Sequence, residues 1–241
     1  MPTFKHGKGV AVLVDEYDFS SYFNDMTATS SVDTAETSTF GTSAKSYVTG
    51  HQDGTVSLSG YFESTASTGT DQYFASKLAG ATKQKVIVMP GGHSNGARAV
   101  LIESDTTSYE ISSPIADVVG ASAEFQASDG VEHGVVLSSG SAVSATGNGT
   151  SVDNGVATTN GGVGFLSVPT NTRNGNITVK IQSSADNSTF ADAITFTVVS
   201  SATATSQKVE VTGTVARYLR VSYTVAGSTG SATPTVAFAR R

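Results

Sequence analysis

The last third of the chain is a series of short apolar-alternating runs broken by turn clusters, and that spacing confines it to antiparallel sheets packed face to face. Strands are expected at residues 163–168, 177–183, 193–199, 207–211, 218–225 and 235–239. Between them lie turn-forming clusters such as Ala-Asp-Asn-Ser-Thr at 185–189. Six such strands in under 80 residues read as a sandwich of the immunoglobulin-like or jelly-roll-like kind.

The first half reads as a meander with one helix. Residues 10–18 form an expected first strand, and residues 55–62 alternate cleanly, as a half-buried strand does. Further strands are expected at 85–89, 97–103, 107–111 and 118–127, with a turn over 90–96. Residues 71–79 are the helix candidate: Thr70 or Asp71 can cap the start, Phe74 and Leu78 share a face, and Gly80 can end it. These elements describe a β-sandwich or partly closed barrel flanked by a helix. Residues 138–162 are rich in Gly, Ser and Thr. They read either as a flexible linker or as a pair of edge strands around Val143 and Val156, the second favoured because apolar positions recur.

Charge changes sign along the chain. Residues 1–137 carry sixteen Asp and Glu against seven Lys and Arg, a net of −9, whereas residues 138–241 carry four against seven, a net of +3. The switch points to a boundary, giving expected domains of 1–137 and 138–241. It also opposes a nucleic-acid-binding surface on the first domain, which would need a basic face. There is no cysteine, so neither a disulfide nor a thiolate metal site is available. The apolar run at 10–14 is too short for a signal core or a membrane span, and synthesis in a cytoplasm without membrane insertion is expected.

Motifs for chemistry are weak. Gly92-His93-Ser94-Asn95-Gly96 fits GxSxG, but a strand-like run follows it where a nucleophile elbow needs a helix, so a hairpin turn explains it better. His6, His51, His93 and His133 have no metal-ligand spacing and read as surface residues. No phosphate-binding loop and no basic, aromatic-studded stripe is present. The reading is therefore of a non-enzyme with no cofactor and no bound metal.

Residues 20–52 stand apart. They are long, polar and rich in Ser and Thr, with Phe23, Phe40 and Tyr47 spaced along them. A structureless loop of that length is uncommon in a compact domain. Its aromatics either pack back on their own domain or dock on a neighbouring subunit.

The same stretch, from Phe19 through Val32-Asp-Thr-Ala-Glu-Thr-Ser-Thr-Phe-Gly41 and Lys45, Tyr47 and Gly50 to the Asp53–Phe62 strand, resembles the major tail proteins that build the tail tube of long-tailed, siphovirus-like bacteriophages. The resemblance covers roughly the first half of the chain. It implies a structural virion protein, made in the host bacterial cytoplasm. Six copies would form a ring, and rings would stack into the tube that conducts the genome during ejection. It implies an inter-ring contact loop with Phe23, Asp25, Phe40 and Tyr47. Implied partners are other copies of the chain, a tape measure protein, a tail terminator and distal tail or baseplate proteins, with double-stranded DNA passing unbound. An acidic lumen would repel phosphates. Asp15, Asp53 and Glu63 are the candidates to face it. Residues 138–241 would decorate the exterior or complete the wall. The competing readings are a two-sandwich adhesin or carbohydrate-binding surface protein, disfavoured by the lack of Trp, and a hydrolase using Ser94.

Overall fold

The computed structural model describes residues 5–66, 69–78 and 80–241. In chain order the elements begin with β1 (Ala11–Val14), β2 (Tyr17–Asp18), β3 (Phe23–Ala28), β4 (Ser31–Glu36), β5 (Tyr47–Asp53) and β6 (Thr55–Tyr61). Then come α1 (Thr70–Lys77), β7 (Gln84–Met89), β8 (Arg98–Ser112), β9 (Gly120–Ala127) and β10 (Glu132–Ser139). The rest is β11 (Gly147–Asn148), β12 (Val152–Asp153), β13 (Gly162–Val168), β14 (Ile177–Ser184), β15 (Ala191–Thr195), β16 (Thr205–Val211), β17 (Tyr218–Val225) and β18 (Thr235–Arg240). The protein is mainly β with one helix among the described residues, as the sequence leads one to expect.

The chain forms two compact units. One is Met1–Ser21, Lys85–Leu101 and Glu132–Arg241; the other is Tyr22–Gln84 and Ile102–Val131. Position 137/138 therefore lies inside the first unit, within β10, where the sequence placed a domain boundary. Strand pairing is the reason: Val135 of β10 faces Arg98 of β8 on one side and Phe238 of β18 on the other. The change in charge does not follow this pairing.

In the first unit a long antiparallel path runs β16-β13-β18-β10-β8-β7-β1-β2, and a second sheet holds β15-β14-β17 with β11 and β12 on its edge. All seven residues of β13 are buried. Its alternate side chains go to different cores. Leu166 and Val168 join Leu137, Val236 and Phe238 against Ile177, Val179 and Ile181 of β14 and Leu219 and Val221 of β17. Val163 and Phe165 point the other way, into a cluster with Ala237, Ala239, Val136, Ala99, Leu101, Ile87, Met89, Ala11 and Leu13. Strands from β13 round to β1 all contribute to that second cluster, so the sheet curls about it. Gly164 leaves room for side chains of the second sheet: a Cβ there would stand 2.8 Å from Ile181 Cδ1 and 2.9 Å from Ile194 Cδ1.

Asp15 fastens the curl. It sits in the β1–β2 turn at φ 50°, a left-handed conformation that Asp tolerates better than most residues. Its backbone N–H donates to the Lys85 carbonyl at 2.8 Å. Its carboxylate Oδ1 accepts from the Lys85 N–H at 2.9 Å and from the Ser206 hydroxyl at 3.2 Å. Its carbonyl accepts from the Ser167 hydroxyl at 2.7 Å. Ser206 is on β16 and Asp15 adjoins β2, so one residue joins the two ends of the strand path.

In the second unit the order is β3-β6-β9-β8, all antiparallel. One face buries Val56, Leu58, Ala121, Ala123 and Phe125, and α1 covers it with Phe74. The Phe74 ring meets Phe125 and Phe23 edge-on, with centroids 5.8 Å apart in each pair. The helix starts after Gly69 without a side-chain cap; Thr70 instead accepts the Glu63 N–H on its hydroxyl at 3.0 Å. Of the expected helix 71–79, residue 79 lies outside the described residues.

Replacing Asp15 by Ala removes the oxygen that accepts from Lys85 and Ser206 and leaves a residue without polar compensation at positive φ. We expect a loss of about 2–4 kcal/mol, read as a shift in the urea midpoint. Asp15→Asn keeps one acceptor and the turn preference and should lose less than half of that.

Candidate functional site

The long polar segment is not a loop. Residues 23–28 are β3, paired to β6, and residues 31–53 are a separate two-stranded hairpin, β4–β5. The hairpin follows from the sequence: β-branched Val32, Thr34, Val48 and Thr49 favour strands, and Gly-Thr-Ser at 41–43 allows the reversal. Every residue of both strands is exposed. At about 3.3 Å per residue the strands make an arm on the order of 20 Å long.

Cross-strand bonds hold its end. The Thr37 N–H donates to the Ser46 carbonyl at 2.8 Å, and Lys45 Nζ lies 3.0 Å from Glu36 Oε2. Midway, the register shifts between Val32 and Thr34, so that Gly50 and His51 stand opposite Asp33. The arm carries large apolar side chains into solvent: Val32, Tyr47 and Val48 are each about half exposed, and Phe40 at the tip is fully exposed. Among the described residues, eleven large hydrophobics are exposed and nine of them belong to the second unit. Scattered single exposures are ordinary; a concentration of this size makes the unit a candidate binding surface.

The second feature is the outer face of the β3-β6-β9-β8 sheet. Register sets it in rows. Asp25 stands beside Ser59, Ser59 beside Ser122, and Ser122 beside Glu110. The next row is Thr27, Ser57, Glu124 and Ser108. Gly120 interrupts the carpet, leaving a shallow open concavity of about 220 Å³ edged by Ser59, Glu110, Ser112 and Ser122. The two rows contain three carboxylates and no cation. The face is hydroxyl-rich, negative and shallow.

The expected contact residues fall on three different places. Phe40 and Tyr47 are on the arm. Phe23 is on β3, half-buried against Phe74. Asp25 is exposed on the polar face. The expected channel acids also diverge. Asp15 is buried as the clasp described above and has no access to a solvent channel. Glu63 is spent on the approach to α1, where Oε1 accepts the Thr65 N–H at 2.9 Å. Asp53 is exposed beside the polar face, bonded to Gln126. Glu110 and Glu124 were missed by the sequence reading, although the alternation of 120–127 already placed 122, 124 and 126 on one side.

Gly92–Gly96 is the turn of the β7–β8 hairpin, with Gly92 and Gly96 at φ +95° and +80°, and no helix follows. The four histidines are exposed. Among the described residues no group of three or more His, Cys, Asp or Glu is arranged to hold a metal ion, and no helix is long and apolar enough to cross a membrane.

No protein-family model matches this chain, and no curated protein matches it. Solved structures do. A protein of the virion of a native gene transfer agent particle is 11% identical with a TM-score of 0.43, over 54% of this chain and 98% of that one. A protein in the tail of an empty gene transfer agent particle, solved with C6 symmetry, is 11% identical with a TM-score of 0.42, over 53% and 97%. The Dit protein of phage SPP1, from the hub of an adsorption apparatus in phages infecting Gram-positive bacteria, is 12% identical with a TM-score of 0.35, over 95% and 98%. These neighbours are virion and tail components.

Because the arm is wholly exposed, it contributes little to the fold of one copy. Replacing residues 32–51 by a two-residue Asn-Gly turn should leave the melting temperature within about 3 °C of the full chain, since exposed substitutions stay within about 0.5 kcal/mol. A collapse of the transition in differential scanning calorimetry would mean the arm is part of the core.

Proposed function

We propose that this protein is a self-assembling structural component of a bacteriophage tail, forming rings that stack into the tail tube. The β4–β5 arm carries the reading: an ordered hairpin with its apolar side chains in solvent needs a partner surface, and the chain supplies it at the position where the sequence resembles tail tube proteins. A β-hairpin that packs on nothing is marginal in water and gains stability on docking. Within a tail, a tape measure protein, a tail terminator and distal tail or baseplate proteins would meet the ends of the stack.

The polar face of the β3-β6-β9-β8 sheet is the natural lining for the conduit. DNA is held by basic surfaces and repelled by acidic ones, and a channel for ejection must not retain its cargo. Asp25, Glu110 and Glu124, with Asp53 beside them, replace the earlier set of Asp15, Asp53 and Glu63 as the lining acids. Short serine side chains between them leave the surface smooth.

Electron microscopy of the purified protein across a concentration series tests the assembly. Hollow rings or tubes with a central channel are expected; compact monomers at every concentration, even with preformed tail tips added as initiators, would refute it. The lining has its own test. Tubes of the Glu110→Lys/Glu124→Lys variant should retain duplex DNA in a filter assay at 50 mM salt and release it as salt rises, while tubes of the parent chain retain none. Equal retention by both would remove the polar face from the channel.

A further inference from the structure

We propose that Phe40 at the arm tip of one copy seats on the apolar end of the β8–β9 hairpin of a second copy, against Ile115 and Val118. The proposal rests on the self-assembly reading and names the receiving surface. Residues 113–119 link β8 to β9 and carry Ile115 at 109% and Val118 at 62% exposure; Ile111 and Tyr61, each 48% exposed, lie on the neighbouring strand ends, on opposite faces of the sheet. Together with the arm, these are the two concentrations of exposed apolar side chains in the second unit. Phe40 in one and Ile115 and Val118 in the other lie on the link between two paired strands.

Charge favours the pairing. The arm tip, residues 37–46, has one charged side chain, Lys45, whose side chain is 69% exposed even while it meets Glu36. The receiving end has Asp117, and residues 99–172 contain no Lys or Arg to oppose it. Lys45 can thus add a second carboxylate as Phe40 buries. Pro114 fixes its own φ just before Ile115 and so removes one degree of freedom from the receiving turn. The donor and receiving surfaces are different parts of the chain. On the proposed stacking each copy gives its arm to one neighbour and receives the arm of another, so the contact propagates; a reciprocal exchange between two copies would instead close a dimer.

The absence of cysteine makes the test clean. Phe40→Cys and Ile115→Cys proteins are mixed under assembling conditions and oxidised, with Phe40→Cys plus Val198→Cys as the control pair, since Val198 is exposed on the other unit. A covalent dimer from the first mixture, at least about tenfold above the control, is the expected result, because a disulfide demands close approach of the two chains. Tubes that assemble without that excess would overturn the Phe40–Ile115 pairing and leave the tube reading standing. No assembly of the parent chain under any condition would overturn both. In parallel, Ile115→Asp should keep the parent melting curve and lose tubes. An Ile115→Asp protein that forms tubes at parental concentration would also overturn the pairing.

Discussion

Closure of the long sheet at Asp15 is the constraint on which the first unit depends. A curled sheet buries its inner face as well as the face turned to the second sheet, and β13 accordingly reads Gly-Val-Gly-Phe-Leu-Ser-Val with no solvent-facing position. The inner cluster has little room, which accounts for Ala11, Ala99, Ala237 and Ala239 where a flat sheet would carry larger side chains. The carboxylate serves here as a shared acceptor: it takes a backbone N–H from β7 and a hydroxyl from β16 at once. An acid in the sequence says nothing of that use.

The second unit solves a different problem with the same kind of strand. Its sheet is packed on one face only, by α1 through Phe74, so its strands alternate cleanly between apolar and hydroxyl or acidic residues. This one-sided burial leaves a broad polar face free, and the regular antiparallel register turns a scattered set of Ser, Thr, Asp and Glu into rows. The negative charge of residues 1–137 has a physical location as a result: part of it is a surface.

Legibility in the sequence followed burial. The one-sided strands were plain, because alternation at 55–62 or 177–183 has a single cause. Strands buried on both faces or merged were harder. Residues 97–103 and 107–111 are one strand, β8, interrupted by a bulge between Thr106 and Ser108 that breaks the period. The segment 138–162 lies between the two readings it allowed: β11 and β12 do pair with β17, and Val143 bridges Ala232, but Val156 is exposed and outside any strand. Nothing in Thr-Asn-Thr-Arg-Asn-Gly at 170–175 announces that Arg173 is buried with its guanidinium donating to the carbonyls of Ser144, Ala226 and Gly230. Phe40 and Tyr47 stood out as aromatics without a local core, and both are exposed. That Asp15 is buried and Glu63 half-buried is not announced by the residue type, because type does not determine partners.

An arm built as a hairpin carries a hazard: both of its strands have an outer edge able to pair with any extended chain. The arm limits this by several means. The shift opposite Asp33 breaks the hydrogen-bond repeat after two residue pairs, Gly50 weakens the strand there, and Asp33, Glu36 and Lys45 put charge along a short ladder. Edge pairing is non-specific by nature, because it reads only backbone. Once it is discouraged, recognition falls to side chains, and the most exposed of these is Phe40 at the tip. A flexible loop could present the same phenylalanine, but docking would then have to order ten or more residues, at about 1–2 kcal/mol each. A paired hairpin has already met part of that cost, so on the proposed stacking of rings a contact centred on one aromatic and one lysine can be sufficient.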